Sequence, residues 1–135
     1  DVKLICDTVA ATLSKEGKVL GSCGYASVPV AVMNLPGTNG ASLVFDRFTE
    51  ERATDVVFLD ENLSESKKLS ISGKYICCDR SENNTTVYCS GKAFVFNNSG
   101  EHTATLGSEQ DAILLETIGE SVFAVTRDQL CKIEK

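Results

Sequence analysis

The amino-acid sequence predicts a mainly β protein: a single antiparallel β-sandwich or barrel domain spanning residues 1–135, stapled by disulfides, with at most one or two short helices. Three observations predict it. Short runs rich in Val, Ile, Thr, Phe and Tyr recur about every 8 to 12 residues, separated by polar turn sequences, as in all-β folds. Long stretches with the 3.6-residue apolar period of a helix are missing. Six cysteines in a chain of 14.5 kDa suit a small exported domain whose core is supplemented by disulfides.

Taken in order, Asp7–Ser14 offers a capping aspartate and apolar Val9, Ala10 and Leu13 before Gly17. It reads either as a short helix or as the first arm of a hairpin turning at Lys15–Gly17. Tyr25–Met33 alternates well enough for a strand, and Pro29 assigns it to an edge or a bulge. Asn34–Gly40 contains Pro36-Gly37 and Asn39-Gly40, two strong turn dipeptides. Strands are expected at Ser42–Phe48, Asp55–Asp60, Leu69–Ser72, Lys74–Cys78, Thr85–Ser90, Lys92–Asn97, Glu101–Leu106 and Ser121–Thr126. Gln110–Ile118 suits a helix by its apolar spacing and a strand by its length and neighbours. The charged stretches Thr49–Asp55 and Asp60–Lys68 read as exposed loops. The expected core is Leu4, Val30, Val32, Leu43, Phe45, Val57, Phe58, Ile76, Val87, Phe94, Phe96, Leu115, Phe123 and Val125.

One internal similarity stands out. Ser72-Gly73-Lys74 opens a run of four apolar or cysteine residues, a polar pair and a serine, and Ser90-Gly91-Lys92 opens another of the same form. This describes two successive hairpins of a meander, through duplication or through convergence of strand and turn chemistry.

The cysteines are Cys6, Cys23, Cys77, Cys78, Cys89 and Cys131. Structural zinc favours Cys-x2-Cys pairs, often with histidines, whereas here two cysteines are adjacent and His102 is the single histidine. Buried reduced thiols are the remaining alternative. Three bridges are expected. If a hairpin turns at Ser81–Asn84, Cys89 lies opposite Cys77 or Cys78, which point to opposite faces. Cys6–Cys23, and Cys131 with the remaining member of the pair, complete the expectation. Acceptor sequons at Asn62, Asn83, Asn84 and Asn97 exceed the roughly one expected by chance in a chain of this composition. Cysteines and sequons together point to a secreted, extracellular glycoprotein.

Charge and motifs exclude several classes. A formal charge of −6 repels phosphate, so nucleic acid is not an expected partner. No apolar run approaches the roughly 18 residues of a membrane span, so membrane insertion is not expected. Residues 1–7 lack the pattern of a signal peptide, so any such segment is expected to have been removed. His102, at a strand start and without a Gly-x-Ser-x-Gly elbow in the chain, reads as a surface residue. The acids Asp46, Glu50, Glu51, Asp55, Asp60 and Glu61 lack the Asp-x-Asp-x-Asp-Gly spacing of a calcium loop and read as a solvated rim. No metal, cofactor or catalytic residue is expected.

The profile resembles, in size and cysteine count alone, small secreted cysteine-rich effector proteins of microbes, secreted inhibitors, and venom or saliva proteins. That resemblance implies a non-enzymatic recognition protein of effector or virulence type, binding a host protein or a glycan. Leu35, Thr38, Tyr75 and Tyr88 are its candidate binding residues. Two alternatives stay open. A small secreted hydrolase would use the carboxylates Glu50, Glu51, Asp55 and Asp60. An enzyme inhibitor would insert the 34–40 loop, pre-organised by its turn dipeptides.

Overall fold

A computed structural model describes residues 1–34, 40–107 and 111–133. Among them every regular element is a strand, fourteen in all: β1 Val2–Ile5, β2 Val9–Leu13, β3 Val19–Gly24, β4 Ala31–Met33, β5 Ala41–Arg47, β6 Ala53–Leu59, β7 Glu65–Ser72, β8 Tyr75–Arg80, β9 Asn84–Cys89, β10 Lys92–Asn97, β11 His102–Gly107, β12 Leu114–Ile118, β13 Ser121–Val125 and β14 Leu130–Ile133. The β class is therefore as expected. Both helix-or-strand ambiguities resolve to strand, at β2 and at β12. The strand expected over Tyr25–Met33 shortens to β4. Glu65–Lys68, expected in a loop, form the first half of β7.

The architecture differs from a two-layer sandwich or a barrel. The strands form four separate antiparallel meanders: β1–β3, β4–β7, β8–β11 and β12–β14. Within each sheet every strand pairs with the next in sequence, antiparallel throughout. The first strands of the last three sheets follow one another about 40 residues apart, and they lie side by side in space, β4 against β8 and β8 against β12.

Three apolar layers bind the sheets face to face in chain order. Ala10 and Cys23 of the first sheet meet Leu43, Phe45, Val57 and Leu59 of the second. Val44, Val56 and Phe58 on the other face of the second meet Val87, Cys89 and Phe96 of the third. Tyr88, Val95 and Leu106 of the third meet Leu115, Val122 and Ile133 of the fourth. Sheets two and three are thus covered on both faces, and β5 and β6 are buried residue after residue instead of alternately. Successive meanders stacked through their faces, with the first strands of the last three together, are arranged like blades of a β-propeller.

This stacking corrects part of the expected core. Leu43, Phe45, Val57, Phe58, Val87, Phe96 and Leu115 are buried, whereas Leu4, Val30, Val32 and Ile76 are exposed. Leu4 lies on the outer face of the first sheet. Ile76 falls at the bulge where β8 loses register with β9.

The disulfide expectation is also corrected: no two of the six cysteines are joined by a disulfide among the described residues. The bulge in β8 sets Tyr75, not a cysteine, opposite Cys89, while Cys77 pairs with Tyr88 and Cys78 with Val87. Cys77 joins the layer toward the fourth sheet; Cys78 and Cys89 join the layer toward the second. Cys6 follows β1 and Cys23 sits in β3, with β2 between them. Two inter-strand spacings amount to roughly 9.6 Å, beyond the reach of a disulfide.

Free thiols in apolar layers have a consequence for pH. Burial pushes Cys77 up to about 12, aided by its neighbours Cys78 and Cys89, and burial likewise raises Cys23, Cys78 and Cys89. An unfolded thiol ionises near about 8.5. The folded state therefore holds these protons more tightly, so the stability they confer is complete below about pH 8.5 and is lost as pH rises toward 12. The free energy of unfolding from urea titrations is expected to fall steeply above pH 9, by about 1.4 kcal/mol per pH unit for Cys77 alone. A flat profile from pH 8 to 10 would show the thiols to be bridged or accessible.

Candidate functional site

A groove of about 660 Å³ opens between the outer strands of the second and third sheets. Its floor follows from strand register. Leu69 and Ile71 of β7 pair with Val56 and Thr54, and so face the third sheet. Phe94 and Phe96 of β10 pair with Val87 and Thr85, and so face the second. Phe96 is anchored edge-on against Phe58, with ring centroids 5.8 Å apart.

A bulge in the β10–β11 ladder skips Thr103 and brings His102 opposite Phe96. The imidazole packs on the Phe96 ring at 5.6 Å, and its Nε2 lies 2.9 Å from Thr105 Oγ1. The groove wall is thereby a short row of hydrogen-bonding groups above an aromatic floor.

The two Ser-Gly-Lys copies close one end. The Lys74 amide donates to Ser90 Oγ at 3.0 Å, and the Ser90 amide donates to the Lys74 carbonyl at 3.2 Å. Ser72, Ser90 and Lys92 line the groove beside them. The copies span a hairpin, not a whole sheet, so they do not mark the repeat of the architecture.

Two smaller clefts lie in the neighbouring layers. One of about 350 Å³ between the first and second sheets is charged: Arg47 Nε sits 3.0 Å from Asp55 Oδ2, and Ser70 donates to Asp55. Burial, followed by the charge of Glu65, raises the Cys23 thiol there. The other, about 440 Å³, lies between the third and fourth sheets, where Asp79 accepts the Thr117 amide at 2.6 Å.

The residues singled out from sequence are scattered. Leu35 and Thr38 lie outside the described residues. Tyr88 is 2% exposed in the layer between the third and fourth sheets, which makes it a core side chain and not a contact surface. Tyr75 is half-buried with its hydroxyl 3.4 Å from Cys78 Sγ, and burial raises its ionisation further from neutrality.

The acids do not converge. Asp46 and Asp55 point to opposite faces of the second sheet, since Asp46 pairs with Thr54 and Asp55 with Phe45. Each holds an arginine, Asp46 with Arg52 and Asp55 with Arg47, both at 3.0 Å. Asp60 Oδ1 accepts the amides of Asn62 and Ser64 and so shapes the β6–β7 turn, while Glu50 and Glu51 are exposed in the β5–β6 loop. His102, read from sequence as a surface residue, is exposed at the groove rim.

Phe94, Ser90, Lys92 and Thr105 were not singled out as site residues from sequence. The Ser-Gly-Lys similarity was the available signal, because it marks where two turns of the same chemistry meet.

The sequons differ in access. Asn83 is exposed in the β8–β9 turn, whereas the Asn97 side chain caps its own turn: Oδ1 accepts the amides of Ser99 and Glu101, and Nδ2 donates to Glu101 at 2.8 Å. The chain matches no protein-family model, and no curated protein is significantly similar to it.

Proposed function

We propose that this chain is a non-enzymatic, extracellular recognition protein of effector type, and that it binds an extended segment of a host protein in the groove between its second and third sheets. The make-up of that groove carries the reading. Its volume is within the range of ligand-binding clefts, its floor is aromatic and aliphatic, and hydroxyls with one lysine form its rim.

The flanking strand β7 is the outermost of its sheet, pairing with β6 alone. Its segment Leu69–Ser72, which lines the groove, carries no charge, unlike Glu65, Lys67 and Lys68 before it. An uncharged edge strand beside an apolar floor suits strand addition: backbone groups of the ligand pair with β7, and alternate side chains descend onto Phe94. The extracellular location rests on the sequons, of which exposed Asn83 is the one best placed for a glycan.

The test is selection of random eight-residue peptides displayed on phage, with a glycan array run beside it. Thr105→Trp, at an exposed position, fills the groove without touching the core. Peptides selected on the native chain are expected to lose at least about tenfold in affinity for T105W, roughly 1.4 kcal/mol. Equal binding by both proteins, or selection of glycans alone, overturns the peptide reading.

A further inference from the structure

The cleft of about 440 Å³ between the third and fourth sheets is acidic. Asp79 of β8, Glu82 of the β8–β9 turn and Glu116 of β12 all border it. Arg80 borders it too, but its side chain is turned away. It pairs with Thr85 on the face toward the second sheet, where its Nη1 donates to Ser42 Oγ at 2.6 Å. Three carboxylates thus share one opening in a chain whose formal charge is already −6, and such a field concentrates cations.

A second observation singles out a ligand that donates hydrogen bonds. Thr117 also lines the cleft and is 9% exposed, and its Oγ1 is buried without a hydrogen-bond partner among the described residues. Its backbone amide donates to Asp79 Oδ2 at 2.6 Å, which fixes the carboxylate beside it. Thr86 stands opposite Asp79 in the β8–β9 ladder, fully buried, and its Oγ1 is likewise unpartnered. Buried hydroxyls without partners cost free energy that a bound donor recovers.

The acids do not converge on a metal ion. Among the described residues no group of three His, Cys, Asp or Glu side chains is placed to hold one. The three carboxylates are instead spread over two strands and a turn, and Ile118, 61% exposed, lines the same cleft. An alkylammonium offers three donors and no acceptor, which suits a carboxylate with a hydroxyl beside it. Its methylenes suit an exposed isoleucine.

We propose that this cleft binds a linear aliphatic polyamine, with one ammonium at Asp79 and Thr117, a second near Glu82 and Glu116, and the methylenes over Ile118. The site is separate from the groove between the second and third sheets.

Calorimetric titration of the whole chain with spermidine tests this, in about 0.15 M salt so that surface charge is screened. Chain made in bacteria leaves Asn83, at the same cleft, without a glycan. One saturable site is expected. Asp79→Asn keeps an acceptor for the Thr117 amide, and Thr117→Val keeps the side-chain shape, so both are expected to retain the native β circular dichroism. Each is expected to weaken spermidine at least about tenfold. Glu82→Gln changes an exposed turn position and is expected to weaken it about threefold. Glu50→Gln, in the exposed β5–β6 loop, controls for overall charge and is expected to change nothing. Calcium chloride and a lysine-containing tripeptide are titrated beside spermidine. Four results overturn the proposal: no saturable site, undiminished binding by any folded one of the three cleft variants, an equal loss in the Glu50 control, and calcium or the tripeptide binding as tightly as spermidine.

Discussion

Phe58→Ala is expected to lower the free energy of unfolding by about 3 to 5 kcal/mol, the range for deleting a large buried aromatic side chain. Phe58 is fully buried at the centre of the layer joining the second and third sheets, and its ring meets Phe96 edge-on. The turn at Gly100 closes over it so tightly that a Cβ there would come within 2.7 Å of the ring. A cavity at that point is walled by two sheets whose strands are tied into separate ladders, so neither can collapse into it. Because the layer joins two sheets, its loss uncouples the halves of the stack. Urea denaturation is the measurement, with Phe48→Ala as the control: Phe48 is 77% exposed and lies under Arg52. A loss below about 2 kcal/mol at Phe58 would show that the layer is not the tight joint described.

Gly40→Ala is expected to cost about 2 to 5 kcal/mol, for two separable reasons. Its φ of +74° is strained for any side chain, and a Cβ there would run into the Leu59 carbonyl oxygen, the backbone of the partner strand. Backbone in a ladder cannot give way as a flexible side chain can. Gly17 isolates the first reason, because its φ is +80° but nothing lies within 4 Å of the added carbon. Gly17→Ala is therefore expected to cost only about 1 to 2 kcal/mol. Equal losses at the two glycines, measured by the same urea titrations, would remove the steric part of the explanation.

Much of the groove was unreadable from sequence, and for a specific reason. Phe94 and His102 are eight residues apart on a single hairpin, so their proximity was implicit in the β10 and β11 assignments. Their meeting with Leu69 and Ile71 depends on which sheet stacks on which, and no local pattern encodes that. Tyr88 shows the converse error. A tyrosine in a hairpin looks available for recognition until a fourth sheet covers that face.

Several of the strands were determined by the sequence alone. Alternation, β-branched residues and turn dipeptides act over a few neighbours, and they placed β5, β6, β9, β10, β11 and β13 to within one or two residues. The short strands β1, β3 and β14 escaped, since Lys3, Gly21, Ser22 and Lys132 interrupt the apolar pattern and the pairing that stabilises them comes from adjacent strands. The runs Leu43-Val44-Phe45 and Val56-Val57-Phe58-Leu59 already signalled strands covered on both faces, which a two-layer sandwich does not supply. Only the tertiary structure decided that four sheets stack in chain order and that the buried cysteines are spread over three layers instead of pairing. Each depends on contacts between residues far apart in the chain, whose free energy resides in the covered face as a whole and not in any one segment of sequence.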